Sequence, residues 1–186
     1  EIPGLPELTN IGSRRGYTLN EHNHLVQIFA GNGDPNAAEG TANGYISRGE
    51  FVNFLRYCKE YGIDVIPEIE SPGHARAAIK SMEARYRNTG DSTYRLIEDG
   101  DTSRYTSAQS FHDNVMNPAL PGPYKFMEKV IDEIALMYKE AGVDLKAIHI
   151  GGDEVPRGAW NGAPSALTLI EKEQLGNEKG LHAYFV

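Results

Sequence analysis

Gly142-Val143-Asp144-Leu145-Lys146-Ala147-Ile148-His149-Ile150-Gly151-Gly152-Asp153-Glu154 carries the pattern of a buried strand that follows a helix. A glycine closes what precedes it. The run of Val, Leu, Ala and Ile, carrying Lys146 and His149 among its apolar residues, suits a strand, and two glycines end it before an acidic pair. Upstream, Phe126, Val130, Ile134 and Met137 recur at helical spacing, with Pro123 suited to the first helical position and Gly142 to the stop. The same order occurs earlier in the chain. Ser47-Arg48-Gly49-Glu50 reads as a capping box, and Phe51, Phe54, Leu55 and Cys58 follow at helical spacing as far as Gly62. Ile63-Asp64-Val65-Ile66-Pro67-Glu68-Ile69-Glu70 is then a β-branched run ending in the turn Ser71-Pro72-Gly73. A helix, a glycine and a buried strand, twice over, is the order of an α/β protein.

Around these two units the sequence is ordinary for a folded chain. It has 186 residues, 40% hydrophobic and 24% charged, with 18 Lys and Arg against 26 Asp and Glu, a formal charge of −8 and a pI near 5.2. The acidic balance argues against nucleic acid as a partner. No apolar run reaches the length of a membrane span, and Glu1-Ile2-Pro3-Gly4 has no basic-then-apolar leader pattern. Cys58 is the only cysteine, which excludes an internal disulfide and any multi-cysteine zinc site, and its helical position predicts a buried thiol.

Residues 1–16 are expected to form no element of their own, with Gly12-Ser13-Arg14-Arg15-Gly16 as a surface loop, and Asn32 to Gly44 to form an exposed insertion. His74 to Tyr86 is helix-like, Asn88 to His112 a long polar loop, and Pro164 to Gln174 a further helix. Leu181-His182-Ala183-Tyr184-Phe185-Val186 begins an apolar helix. His22 and His24 have no ligand geometry and read as surface residues.

In parallel α/β folds, functional side chains collect at the C-terminal ends of the strands. Two polar clusters occupy that position: Glu68, Glu70 and His74 after the first strand, and His149, Asp153 and Glu154 after the second. Adjacent residues of a regular strand point to opposite faces, so Asp153 and Glu154 share a pocket only if the backbone leaves the strand, a departure that Gly151-Gly152 makes cheap. Two carboxyls at close quarters do not ionise independently, and the one that keeps its proton is a donor near neutral pH. That chemistry suits a glycosidase. It equally suits a metal-dependent hydrolase, with His74, His149 and the acids as ligands. Trp160, close after the acidic pair, can stack on the apolar face of a sugar or pack the loop, and Tyr17, Tyr45, Tyr94 and Tyr105 carry the same ambiguity.

His149-Ile150-Gly151-Gly152-Asp153-Glu154-Val155-Pro156-Arg157-Gly158-Ala159-Trp160, with Pro67-Glu68-Ile69-Glu70-Ser71-Pro72-Gly73-His74-Ala75-Arg76-Ala77-Ala78 upstream, resembles the catalytic domain of glycoside hydrolase family 20, the β-N-acetylhexosaminidases. Their usual strings are H-x-G-G-D-E and P-E-I-D-M-P-G-H-A, from which Glu70 and Ser71 depart. The resemblance extends over most of the chain and is weakest at 32–44. It implies a (β/α)8 barrel, of which residues 1–186 would be a part holding about strands three and four. It also implies a retaining, exo-acting enzyme that removes terminal N-acetylhexosamine from glycans. No cofactor or metal is implied: the acetamido oxygen of the substrate attacks the anomeric carbon in place of an enzyme carboxylate. By motif match Glu154 is the general acid and base, Asp153 holds the acetamido N–H, and His74 tunes the acid, with His149 and Glu68 in support. Resembling enzymes are secreted, periplasmic or lysosomal.

A whole barrel takes about 250 residues, so the chain is expected to be a fragment with little activity of its own. The sugar-binding Arg of the first strand, the carboxylate partner of His74 and the aromatic wall of the acetamido pocket are all expected outside it. A non-catalytic glycan-binding protein with a relic site is the third reading.

Overall fold

The computed structural model describes residues 1–28, 31–38 and 42–186. Part of the expected insertion, residues 39–41, lies outside the described residues, and its described part runs along the surface. In chain order the elements are α1 (Glu7–Asn10), β1 (Arg15–Gly16), β2 (Leu25–Val26), α2 (Arg48–Glu60), α3 (Arg76–Thr89), α4 (Pro121–Ala141), α5 (Pro164–Lys172) and α6 (Glu178–Phe185).

The helices form for the reasons their sequences offer. At α2 the Ser47 hydroxyl accepts the Glu50 N–H while the Glu50 carboxylate accepts the Ser47 N–H, which satisfies two of the free donors at the helix start. Pro121 opens α4, and Gly142 closes it in the left-handed conformation. Between α2 and α4 lies the main core, with Val52, Leu55, Phe126, Val130, Ile134 and Met137 joined by Ile79 and Met82 of α3. Cys58 is buried. A smaller core joins Val115, Ala159, Trp160, Ala163 and Ala166 to Leu181 of α6.

Both segments expected as strands are extended, yet their regular pairing is reduced to one parallel bridge between Glu68 and His149. Ile69 N–H donates to His149 C=O at 2.9 Å, and His149 N–H donates to Pro67 C=O at 3.0 Å. The next rung down fails for a local reason. Pro67 has no N–H to offer Ala147, and the Val65 carbonyl accepts a hydrogen bond of 2.7 Å from the Tyr138 hydroxyl of α4. On one face Val65, Ile69, Val143, Leu145 and Ile150 pack onto the helical core, whereas Ile63 and Ile66 are exposed at 56% and 60%.

The regular strand pair arises instead where a loop was expected. β1 and β2 are parallel, Arg15 opposite Leu25 and Gly16 opposite Val26. Two-residue strands carry no periodicity and are held by packing, here Ile11 and Leu25 against Ala84 of α3. Gly12 and Gly16 are buried, so the stretch Gly12–Gly16 is not the surface loop expected of it. Helix α3 begins later than expected because His74 is left-handed, with φ 51°. Among the described residues no helix is long and apolar enough to cross a membrane.

Tyr138 ties the long helix to the extended segment through one buried hydroxyl. In the protein that carries this chain, Tyr138→Phe is expected to lower stability by about 1–2 kcal/mol, since the Val65 carbonyl loses its partner. A denaturant midpoint unchanged from wild type would contradict that role.

Candidate active site

The two turns that follow the bridge are built side by side. In the first, Ser71 Oγ donates to the Ile150 carbonyl at 2.8 Å, Met116 N–H donates to Pro72 C=O at 2.8 Å, and Ala75 N–H donates to Asn114 C=O at 2.9 Å. Segment 114–116 therefore holds the turn from outside and the second extended segment holds it from inside. The Ser71-Pro72 peptide is cis. A Cβ placed on Gly73 would come within 3.1 Å of the Asp153 carbonyl, so the two turns touch through backbone.

In the second turn the backbone leaves the extended conformation. Gly151 and Gly152 have φ of 73° and 106°, and Glu154 stands at 49°. A side chain at 152 would be strained at that φ, and a Cβ at 151 would lie 2.9 Å from the Glu70 Cα. This departure lets consecutive acids face one ligand. His74 Nε2 lies 3.3 Å from Glu154 Oε2 and 3.8 Å from Asp153 Oδ2. Both acidic side chains are largely open, at 50% and 65%, while the imidazole is 19% exposed.

Three of the expected residues thus come together: His74, Asp153 and Glu154. Their ligand atoms lie within 4.8 Å of one another, a spacing that also admits a metal ion. His149 is not in that group. Its Nδ1 lies 2.9 Å from Glu68 Oε1 and 3.2 Å from the Gly151 N–H, so when protonated it donates to Glu68 and when unprotonated it accepts from Gly151. His149 and Glu68 therefore form a separate, largely exposed pair.

Glu70 lies between the two groups. Burial, then the charge and hydrogen-bonding contact of Asp153, then those of Glu68, raise its carboxyl above the ordinary value of 4.5. Its Oε2 is buried without a hydrogen-bond partner.

Gln109 is a contact that the sequence did not reveal. Its Nε2 donates to Glu154 Oε2 at 3.1 Å. It sits on a tight turn where Ser107 N–H donates to Phe111 C=O and Ser110 N–H to Ser107 C=O, both at 2.8 Å. Nothing periodic marks it within the long polar stretch. Beside His74 a cavity of about 290 Å³ is lined by Arg15, Arg76 and Phe111, among others. Arg76 is neutralised by Glu21 and Asp113. Burial opposes ionisation of both acids, but hydrogen bonds from Arg76, aided by Lys80, hold them below the usual carboxylate range.

Trp160, left open between stacking on a sugar and packing the loop, does the latter here. It is 2% exposed, and its indole N–H donates to the Met116 carbonyl at 2.8 Å. Tyr105 also has a structural part: its hydroxyl accepts the N–H groups of Asn114 and Val115, and burial pushes its pKa up to about 12. Tyr17 and Tyr45 are exposed, and Tyr94 packs on the main core. His22 is exposed, and His24 Nε2 contacts the Tyr17 carbonyl away from the acids.

Residues 1–186 match the family described as glycosyl hydrolase family 20, catalytic domain. The chain is 38% identical to a beta-hexosaminidase of Vibrio vulnificus, aligning over 100% of its own length and 23% of that protein. It is 40% identical to an N,N'-diacetylchitobiase of Vibrio harveyi, over 83% of the chain and 18% of that relative. Among solved structures, a GH20 exo beta-N-acetylglucosaminidase from Vibrio harveyi in complex with N-acetylglucosamine superposes with a TM-score of 0.77. That comparison has 36% identity and covers all of this chain and 25% of that one. The chain thus spans about a quarter of the length of the relatives it matches.

The Glu70 carboxyl generates a pH prediction. Because its folded pKa is raised, the native state keeps a proton that the unfolded state has released, and stability falls as pH rises through the window above 4.5. Glu70→Gln has no such proton. Its denaturant midpoint should lack that fall and exceed wild type at neutral pH, and equal slopes for the two proteins would exclude the raised carboxyl.

Proposed function

Because the chain belongs to glycosyl hydrolase family 20, matching its catalytic-domain description from residue 1 to residue 186, we propose that the protein carrying it is a retaining exo-β-N-acetylhexosaminidase. The observation that carries this reading is the acidic pair itself: Asp153 and Glu154, turned toward one mouth by two left-handed glycines and both within reach of His74.

In this reading the substrate's acetamido carbonyl oxygen attacks the anomeric carbon from the side opposite the leaving group. Glu154 gives its proton to the departing glycosidic oxygen. Asp153 accepts the acetamido N–H and stabilises the positive charge of the oxazolinium ring. Water then attacks the same carbon and yields its proton to Glu154, so two inversions give net retention. His74 and Gln109, both on Oε2, leave the other Glu154 oxygen to face the sugar. The relative whose structure holds N-acetylglucosamine and the relative named for diacetylchitobiose support a 2-acetamido sugar as the substrate class. We assign residues 63–70 and 143–150 to the third and fourth barrel strands, with exposed Ile66, on the face opposite core-facing Val65 and Ile69, covered by the rest of the barrel. On that assignment the isolated 186 residues have little activity.

A metal-dependent hydrolase is the second reading, favoured by the close grouping of His74, Asp153 and Glu154. One assay separates the two. The full-length protein is given paired aryl β-glycosides, one with a 2-acetamido and one with a 2-hydroxyl group, both with chelator present. Selective cleavage of the acetamido substrate is expected, together with a loss of about 100-fold or more in kcat for Glu154→Gln on substrates with poor leaving groups. Activity abolished by chelator and restored by a divalent ion would replace this reading with the second.

A further inference from the structure

The two glycines before the acidic pair are flanked by two buried polar atoms that have no hydrogen-bond partner among the described residues, Glu70 Oε2 and His182 Nε2. Glu70 presses on Gly151 from the first turn. His182, on α6, lies beside the next glycine, Gly152. A Cβ placed on Gly152 would lie 3.6 Å from His182 Nε2 and 4.0 Å from the Val186 side chain, so the ring nitrogen faces the residue that immediately precedes Asp153 across a gap about one methyl group wide.

The helix that carries this ring is firmly placed. Asn177 caps it, accepting the N–H groups of Lys179 and Gly180. Leu181 is fully buried in the second core beside Trp160, and Phe185 packs on Tyr124 of α4 with ring centroids 5.3 Å apart. His182 itself is half-buried, with its Nε2 turned inward. Leaving it unpaired costs about 1–3 kcal/mol, a penalty that an apolar side chain at 182 would avoid, so packing alone does not account for an imidazole.

We propose that His182 is a positioning residue for the acidic pair: its ring, held by α6, braces the Gly151-Gly152 turn against Glu70 and so sets the aim of Asp153 and Glu154. The inference rests on the glycosidase reading, because aim matters only if those acids act on a substrate. It touches no substrate itself. Displacing the turn misdirects the proton donor and loosens only the one acetamido contact of Asp153, while contacts elsewhere on the sugar persist, so turnover falls much further than affinity.

The test compares His182→Leu with His182→Gln in the full-length protein, using an aryl 2-acetamido-2-deoxy-β-glucoside. The Leu variant should lose about ten-fold in kcat with KM within about two-fold of wild type, whereas Gln, which offers a polar end at similar reach, should keep most of the turnover. Equal kcat in the two variants, high or low, would overturn the proposal. Where the Leu variant does not fold, the Nε2 resonance of His182 in wild-type protein decides. A shift on saturation with N-acetylglucosamine supports the brace, and an unmoved resonance with the sugar bound overturns it. Lack of hydrolysis by wild-type protein is a different result, the failure of the glycosidase reading.

Discussion

Two backbone hydrogen bonds, Ile69 N–H to His149 C=O and His149 N–H to Pro67 C=O, bring the two halves of the candidate site together. They are the only regular pairing between the extended segments among the described residues, and everything chemical lies just beyond them. Below the bridge, Pro67 and the Tyr138 hydroxyl end the ladder. Above it, Ser71 Oγ takes over by bonding the Ile150 carbonyl. The register so fixed places the Pro72-Gly73-His74 turn against the Gly151-Gly152-Asp153-Glu154 turn, close enough for Gly73 to meet the Asp153 carbonyl. A slip of one residue would send His74 and the acids to opposite faces.

That register would achieve little if the second turn remained a strand. Alternation would put one acid inward and the other outward. The left-handed values at Gly151, Gly152 and Glu154 break the alternation, and the matching value at His74 turns its ring to meet them. Non-glycine residues hold such values only where their surroundings enforce them. Here the enforcement is visible: His74 is followed by a backbone bond from Ala75 to Asn114, and Glu154 is met by Gln109 and His74.

The parts legible in the sequence were those written in local chemistry. The capping box at Ser47, the glycine stop of α4 and the glycines before Asp153 each depend on a few adjacent residues, and the structure shows them in place, whereas the proline that opens α4 is Pro121 and not the expected Pro123. The strands were legible only as extended segments, because whether a ladder continues depends on Pro67 and on a hydroxyl from α4, neither of which alters the hydrophobic pattern. The pairing of β1 with β2 and the burial of Gly12 and Gly16 arise from packing against α3 and left no periodic trace. The same holds for Gln109, whose contact with Glu154 is made by a loop fold set by Ser107 and Phe111. Trp160 shows the limit from the other side, since proximity in sequence to the acids did not place its ring beside them.

The division of labour within the site follows from burial. Aim is supplied locally, by turns, glycines and the imidazole, and these groups are largely enclosed. The acids they aim are half or more exposed to water, where a charge acts at a fraction of the strength it has in a closed pocket. On the proposed reading, stabilising an oxazolinium ring would need that closure. Exposed Ile66, on the face opposite Val65 and Ile69, lies on the same extended segment that leads to His74. Covering that face with further chain would extend the sheet and raise walls beside the acids. On the proposed reading, fold completion and catalytic desolvation are one event: the described residues would carry the chemistry and further chain would enclose it.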